Sequence, residues 1–158
     1  MSRNSPTDQI SALPSDQQPL MRICAEADET ELEDAIEACG GTPDAEDVRA
    51  PETGLVMLRG RIGGDGAPFN VGEATVTRAV VRLVDGTFGY SYLLGRSARR
   101  AHLAATVDAL GQNTGHHATL HAALVAPVRA RREAELKVRR EQSAATRVNF
   151  FTLARGED

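Results

Sequence analysis

The stretch GEATVTRAVVRLVDGTFGYSYLLGR, residues 72 to 96, decides the fold of this chain. Its Asp85-Gly86 pair lies between two runs of β-branched and aromatic residues, which predicts two antiparallel strands joined by a two-residue type I′ turn. With that turn, each residue before the pair faces one after it, and the apolar pairs form the buried face of the sheet. The predicted buried pairs are Leu83 with Phe88, Val81 with Tyr90, Ala79 with Tyr92 and Thr77 with Leu94.

The polar residues at the start of the first strand then fall at the end of this core. The same register brings Thr75 opposite Arg96, and Glu73 opposite Ala98, where the chain has turned into a helix. We therefore expect Glu73 and Thr75 to meet Arg96 beside the start of that helix.

The other face of the predicted hairpin carries arginine. The register places Arg82 across from Gly89 and Arg78 across from Leu93. A glycine inside a strand leaves open space, as the close approach of a ligand or of another stretch of backbone requires. This face is therefore a candidate contact surface.

The stretch GRSARR begins a helix predicted over 98 to 110, with Ser97 as its N-cap and Gly111 as its stop. Positive charge in the first helical turn opposes the macrodipole, so an anion is favoured there. The anion is either a phosphate or a carboxylate such as Glu73; the alternative is that the arginines are solvated. The candidate contacts for a substrate, an anion or a partner are Glu73, Thr75, Arg78, Arg82, Arg96, Arg99 and Arg100.

The N-terminal third is predicted to be a tail followed by a helical hairpin. Residues 1–16 are polar and rich in Pro and Ser, which predicts a mobile tail, and residues 17–158 form a single domain. Apolar spacing predicts helices at about 18–27 and 30–39, the second with a Thr30 and Glu33 capping box. An acidic connection over 42–52 leads to a β segment that starts near Thr53.

The C-terminal third is predicted to be mainly helical. A short helix is expected near 118–126, then a charged helix that begins at Pro127 and runs to about 145. The final RVNFFTL has the composition of a strand. The fold class is α+β, an antiparallel sheet of hairpins packed by the N-terminal helical hairpin and the C-terminal helices.

Composition excludes several classes of protein. The 158 residues contain 22 acidic and 18 basic side chains, so no general nucleic-acid footprint is present. Cys24 and Cys39 lie in helical apolar stripes, which predicts free thiols in a reducing cytoplasm. No apolar run reaches the ~18 residues that a membrane span needs. We expect a cytoplasmic protein with no membrane or nucleic-acid partner.

The residues alone indicate no catalytic machinery. His117 and His121 have the i, i+4 spacing of a metal pair, but no third ligand accompanies them, so no metal site is predicted. No nucleophile triad or paired carboxylates can be recognised, and catalytic residues stay unknown. Three hypotheses remain: a subunit of an enzyme complex, a self-sufficient homodimer that binds a phosphate or nucleotide, and a purely structural scaffold.

Three long strings resemble a known family. They are RAPETGLV, GDGAPFNVGEATVTRAVVRLVDGTFGYSYLLGR and the terminal RVNFFTLARGE. They are similar to the PhnG family, a subunit of the bacterial carbon–phosphorus lyase core complex. The resemblance covers about residues 48–110 closely and the C-terminal end again.

This resemblance implies a role in using phosphonates as a phosphorus source, with partner subunits PhnH, PhnI, PhnJ and PhnL. The complex attaches methylphosphonate to C1 of the ribose of MgATP and displaces adenine, which gives α-D-ribose 1-methylphosphonate 5-triphosphate. By the same resemblance the nucleosidase chemistry belongs to PhnI and the iron–sulfur chemistry to PhnJ. The chain itself is then a required subunit that binds no cofactor, is not catalytic alone, and forms a homo-oligomer when isolated.

Overall fold

The computed structural model describes residues 17–63 and 66–145, so the predicted tail and the RVNFFTL segment lie outside the described residues. Its elements confirm the α+β class with an antiparallel sheet. The elements are α1 Gln17–Glu26, α2 Glu29–Ala38, β1 Ala45–Gly60, β2 Phe69–Leu83, β3 Phe88–Leu94, α3 Ala98–Gly111, a 3₁₀ turn Thr114–His116, α4 His117–Leu120, a π-helical turn His121–Val125 and α5 Ala126–Ala145.

The chain divides into two compact units, the first ending at Val128 and the second beginning at Arg129. The first holds the sheet, α1 to α4 and one hydrophobic core, to which Leu32, Val81, Val107 and Leu124 contribute fully buried side chains. The second is the exposed, charged part of α5, where Arg131 pairs with Glu135 one helical turn away. Among the described residues, no helix is both long enough and apolar enough to cross a membrane.

The helical hairpin is present, but its capping box lies two residues earlier than predicted. The N–H of Glu31 donates to Oδ1 of Asp28 at 2.9 Å, and the N–H of Asp28 donates to Oε2 of Glu31 at 2.9 Å. These two bonds satisfy donors that a helix N-terminus leaves without partners. Asp28 is therefore the N-cap of α2, and the prediction of Thr30 and Glu33 was wrong.

The sheet has the order β1-β2-β3, and its first strand begins earlier than predicted. The acidic stretch 42–52 is mostly strand, because β1 starts at Ala45 and Ala45 pairs with Leu83. β1 is an edge strand whose side chains are mainly exposed, so charged residues are compatible with it. The prediction of a connecting loop there, with the β segment starting near Thr53, was wrong.

The register between β2 and β3 differs from the prediction by one residue. Val81 pairs with Gly89, and Val80 pairs with Tyr90. The cause is a three-residue loop: the N–H of Gly86 donates to the Leu83 carbonyl at 2.9 Å, and the N–H of Leu83 donates to the Thr87 carbonyl at 2.9 Å. Among the described residues only glycines have a positive φ, Gly86 at 89°, whereas a type I′ turn requires positive φ at both central residues.

This shift places the aromatic side chains on the face opposite to the core. On β2, the predicted core residues are buried, namely Thr77, Ala79, Val81 and Leu83. On β3, the buried residues are Gly89, Ser91 and Leu93. Phe88, Tyr90, Tyr92 and Leu94 share a face, as predicted, but that face is exposed, so the prediction that they belong to the core was wrong.

Gly89 lies where α3 crosses the sheet. A Cβ atom at this position would be 2.0 Å from the Ala105 carbonyl oxygen and 2.7 Å from the Ala109 Cβ. Of the two predicted neighbours of Gly89, a ligand or another backbone, the structure shows the backbone of α3. The predicted arginine neighbour was wrong, because Arg82 pairs with Phe88 on the other face.

The C-terminal helices meet at the π-helical turn. The N–H of Ala126 donates to the His121 carbonyl, a bond across five residues that is typical of a π turn. Pro127 follows as the second residue of α5, and because the helical run continues through the π turn, its missing N–H leaves a carbonyl of the preceding turn without that intrahelical bond. In place of the predicted helix break near Pro127, the structure has a π turn at His121–Val125 within a continuous helical run.

Candidate functional site

The candidate residues lie in three places, the first of which is the face of the sheet away from α3. We call it the open face, defined by Arg78, Val80 and Arg82 of β2 and Phe88, Tyr90, Tyr92 and Leu94 of β3. The three aromatic side chains keep 38%, 39% and 46% of their surface exposed. Aromatic residues concentrated on one exposed face are typical of protein–protein interfaces.

Arg78 and Arg82 lie on the open face and are each paired with a carboxylate of β1. Arg78 binds Glu52, its direct neighbour across the strands. Arg82 Nη2 lies 2.6 Å from Oε1 of Glu46, which is also its neighbour in the register. Because all four side chains are about half exposed, these pairs contribute little to stability. The guanidinium groups therefore stay available for exchange of partners.

The second place is a two-stranded projection of the sheet. We call it the ribbon, residues 54–60 of β1 and 69–75 of β2, which begins where β3 has ended opposite Val76. Apolar side chains of the ribbon are exposed, for example Leu55 at 63% and Met57 at 59%. Glu73 lies in the ribbon opposite Met57.

Glu73 does not meet Arg96. Within residues 17–63 and 66–145, no hydrogen bond or ion pair joins these two side chains, so the predicted contact was wrong. The register explains this outcome, because Thr75 lies beside Gly95, whose N–H donates to the Thr75 carbonyl at 2.9 Å. Glu73 is thereby carried along the ribbon, away from the start of α3. Thr75 itself is half-buried at the base of the ribbon.

The third place is the N-terminus of α3, where Ser97 is the N-cap as predicted. Its Oγ accepts a hydrogen bond from the N–H of Arg100 at 3.1 Å and donates one to Oε1 of Glu29. Arg99 pairs with Glu33, and this hydrogen bond raises the pKa of the Arg99 guanidinium. Carboxylates of α2 thus occupy the position for which an anion was predicted, rather than Glu73.

Arg100 connects α3 to the end of α1. Its Nη2 donates to the Ala25 carbonyl at 2.6 Å, while its Nε is buried with no partner among the described residues. Arg96 differs, because its side chain is exposed and has no hydrogen bond or ion pair within the described part of the chain. Of the three candidate arginines near the start of α3, Arg99 and Arg100 therefore bind the helical hairpin of α1 and α2. Arg96 is available for another contact.

Asp108 is a residue that the sequence reasoning missed. It is 1% exposed, its Oδ2 accepts the Tyr90 N–H at 2.9 Å, and its Oδ1 has no partner among the described residues. Burial raises the pKa of this carboxyl to about 6. The available signal was an aspartate directly between the stripe residues Val107 and Leu110 of α3.

The titratable groups near the core do not form a reactive centre. Burial, with a smaller contribution from the Asp108 charge, raises the pKa of the Cys24 thiol well above its usual value. A protonated, buried thiol is a poor nucleophile. His117 Nε2 lies 2.9 Å from the Gly111 carbonyl oxygen. No group of three His, Cys, Asp or Glu side chains able to hold a metal ion occurs in the part of the chain described.

Comparison with known proteins identifies relatives over nearly the whole sequence. The family model described as "Phosphonate metabolism protein PhnG" matches residues 15–156. A protein of Rhizobium meliloti (strain 1021), the alpha-D-ribose 1-methylphosphonate 5-triphosphate synthase subunit PhnG, is 53% identical over 138 residues. The aligned region covers 87% of this chain and 88% of the relative.

Proposed function

The chain belongs to the PhnG family of phosphonate metabolism proteins, and we propose that it is a subunit of α-D-ribose 1-methylphosphonate 5-triphosphate synthase. The observation that carries this function is the 53% identity to a synthase subunit, which extends over 87% of the chain. The chain therefore acts in phosphonate catabolism as part of a multisubunit transferase.

The reaction of the complex follows from its product. A ribose that carries a phosphonate at C1 and a triphosphate at C5 arises from MgATP and methylphosphonate when the phosphonate displaces adenine from C1. The transition state develops positive charge on the ribose ring, and fixed dipoles and charges around it lower its energy. MgATP enters as a substrate of the complex, and we propose that this chain holds no cofactor. Use of ATP favours a location in the cytoplasm.

We propose that this chain contributes contact surfaces and that the chemistry takes place on partner subunits. Two observations support this division. Arg99 is engaged with a carboxylate of α2, and Cys24 is a buried thiol. The open face, in contrast, presents aromatic rings and exchangeable arginines, as a docking surface does. The partners we propose are the PhnH, PhnI, PhnJ and PhnL subunits.

The arginines of the open face and Arg96 then contact either a partner or the phosphates of the substrate. Replacement of Arg78, Arg82 or Arg96 by alanine is expected to spare the fold, because these side chains are exposed. Loss of activity in an intact complex indicates a substrate contact, whereas loss of assembly indicates an interface.

Co-expression with the partner subunits tests the proposed function. The tagged chain is purified, its complex is resolved by size-exclusion chromatography, and the ribose triphosphate product is followed by phosphorus NMR. A co-eluting complex that forms the product supports the proposal. A wild-type chain that elutes alone and binds ATP by itself would instead support the self-sufficient homodimer, and a complex whose activity does not need this chain would support a scaffold.

A further inference from the structure

The outer edge of β3 and the part of the outer β1 edge that precedes Glu52 are protected against pairing with another strand. On β3, the N–H of Tyr90 points outward and is taken by Asp108, while Gln112 Nε2 donates to the Phe88 carbonyl. On β1, register shifts occur on both sides of Arg49, and Pro51 follows. Bulges, prolines and covering side chains are the usual means by which proteins prevent edge-to-edge association.

Within the described residues, the edge of β2 in the ribbon lacks such protection. The register shifts around Arg49 add residues to β1 and none to β2, so the backbone groups of β2 alternate regularly between its two sides from Leu83 to Gly72. The Thr75 carbonyl points to the β3 side, where it accepts the Gly95 N–H. Two residues further, the N–H and C=O of Glu73 therefore point to the same side, but β3 has already ended at Leu94.

The two faces of the ribbon are exposed at the same place. Leu55 and Met57 lie on one face with 63% and 59% of their surface exposed, and Leu58 lies on the other with 45% exposed. A two-stranded ribbon is only marginally stable in water by itself, and a third strand with apolar cover stabilises it. An extended segment with apolar side chains would pair with the open edge and cover the apolar faces at the same time.

We propose that the ribbon docks a partner subunit by strand addition. An extended segment of the partner lies beside β2 in the position that β3 leaves after Leu94, and it pairs with the backbone of Glu73. Its apolar side chains extend the apolar faces of the ribbon. Main-chain hydrogen bonds supply affinity in this mode, and the alternating side chains supply specificity. The inference rests on the proposed function, since the partner is another subunit of the synthase.

Charge indicates the composition of the partner segment. Arg96 follows the end of β3, is exposed, and has no ion pair within the described residues. It lies where the added segment would meet β3, so a carboxylate of the segment fits beside it. Glu73 likewise has no charged partner within those residues, so a basic or amide side chain of the segment fits opposite it. The occupant is therefore an extended apolar segment with an acidic residue at the Arg96 end.

A pair of substitutions at one residue tests the backbone contact. Glu73→Pro removes the N–H that the added strand needs but no hydrogen bond to β1, because this N–H points away from β1. Glu73→Ala keeps the N–H. Both are co-expressed with the partner subunits and analysed by size-exclusion chromatography, and the melting temperature of each isolated chain is measured. We expect Glu73→Pro to lose the co-eluting partner while Glu73→Ala keeps it.

A second pair of substitutions tests whether the ribbon docks the partner if Glu73→Pro fails to fold. Leu55→Asp places a charge on an exposed face of the ribbon, and Val84→Asp is the control at the hairpin loop, where the side chain is 82% exposed. Leu55→Asp is expected to lose the partner, and Val84→Asp to keep it.

Other outcomes overturn the inference. If a folded Glu73→Pro or Leu55→Asp assembles as the wild type does, the ribbon is not the docking element. If Glu73→Ala loses the partner as well, the carboxylate is the contact and not the strand edge. If the isolated wild type is a dimer that Glu73→Pro converts to monomers, a second copy occupies the edge. Failure of the wild-type chain itself to co-elute would instead refute the proposed function.

Discussion

The backbone N–H of Tyr90 donates a 2.9 Å hydrogen bond to Oδ2 of Asp108, and this bond attaches the outer edge of β3 to α3. The carboxylate is 1% exposed, and its other oxygen has no hydrogen-bond partner within the described residues. A single hydrogen bond does not replace the hydration that a charged carboxylate loses on burial. For this reason the pKa of Asp108 is raised to about 6 from an ordinary value of 3.8.

The raised pKa predicts that the protein is more stable in mild acid than at neutral pH, as far as Asp108 is concerned. The folded state binds the proton more tightly than the unfolded state does, so this contribution to stability is fully present below pH 3.8 and is lost as the pH rises through about 6. The difference between a pKa of 3.8 and one of about 6 corresponds to roughly 3 kcal/mol of unfolding free energy.

Asp108→Asn tests this linkage, since asparagine cannot ionise but keeps an oxygen for the Tyr90 N–H. We expect the variant to lose most of the change in unfolding free energy between pH 4 and pH 7. Urea unfolding followed by circular dichroism at several pH values measures this change in unfolding free energy for the wild type and the variant. An equally steep pH dependence in the variant would show that other groups are responsible.

Gly89→Ala is expected to destabilise the protein because of the close contact with α3. The new Cβ would be 2.0 Å from the Ala105 carbonyl oxygen, so the helix must move away from the sheet. Overpacking of this kind costs about 1–3 kcal/mol, or more where backbone must move. Gly54→Ala is the matched control, because a Cβ there has no atom within 4 Å and the residue lies in the same sheet. Thermal unfolding that affects both variants equally would contradict the argument.

The sequence predicts the elements of this fold better than the way their faces are oriented. Asp85-Gly86 correctly indicates a hairpin, but the same dipeptide suits a two-residue loop and a three-residue loop with a glycine bulge. The choice depends on the φ of Asp85, which composition does not determine. A slip of one residue turns every side chain of β3 to the other face, and so Tyr90 and Tyr92 are exposed rather than buried.

The candidate site was predictable only in part, for a related reason. Ser97 and Arg99 are recognisable because an N-cap and a first helical turn are local features of sequence. Their partners Glu29 and Glu33 lie almost 70 residues earlier, and only the packing of α2 against α3 brings them together. Asp108 was missed because an aspartate on a helix is normally expected to be exposed. Only the position of β3 beside α3 shows that this carboxylate is buried and accepts the Tyr90 N–H.

Two adjacent arginines at the start of α3 are expected to differ sharply in their effect on stability. Arg100 donates to the Ala25 carbonyl at the end of α1 from a half-buried position. Arg100→Ala leaves that carbonyl without its partner, which costs about 1–3 kcal/mol. Arg99 pairs with Glu33 in solvent, where salt and water screen the interaction, so Arg99→Ala is expected to cost much less.

Urea unfolding of the two variants in low and high salt provides the measurement. The stability of Arg100→Ala should fall below that of the wild type by nearly the same amount in both, because a part-buried hydrogen bond is screened less than an exposed ion pair. The small loss in Arg99→Ala should shrink further in high salt. Equal losses in the two variants would mean that Arg100 is only a surface charge. The helical hairpin would then be held at the N-terminus of α3 by the contacts of Glu29 and Glu33 and by apolar packing, without a contribution from Arg100.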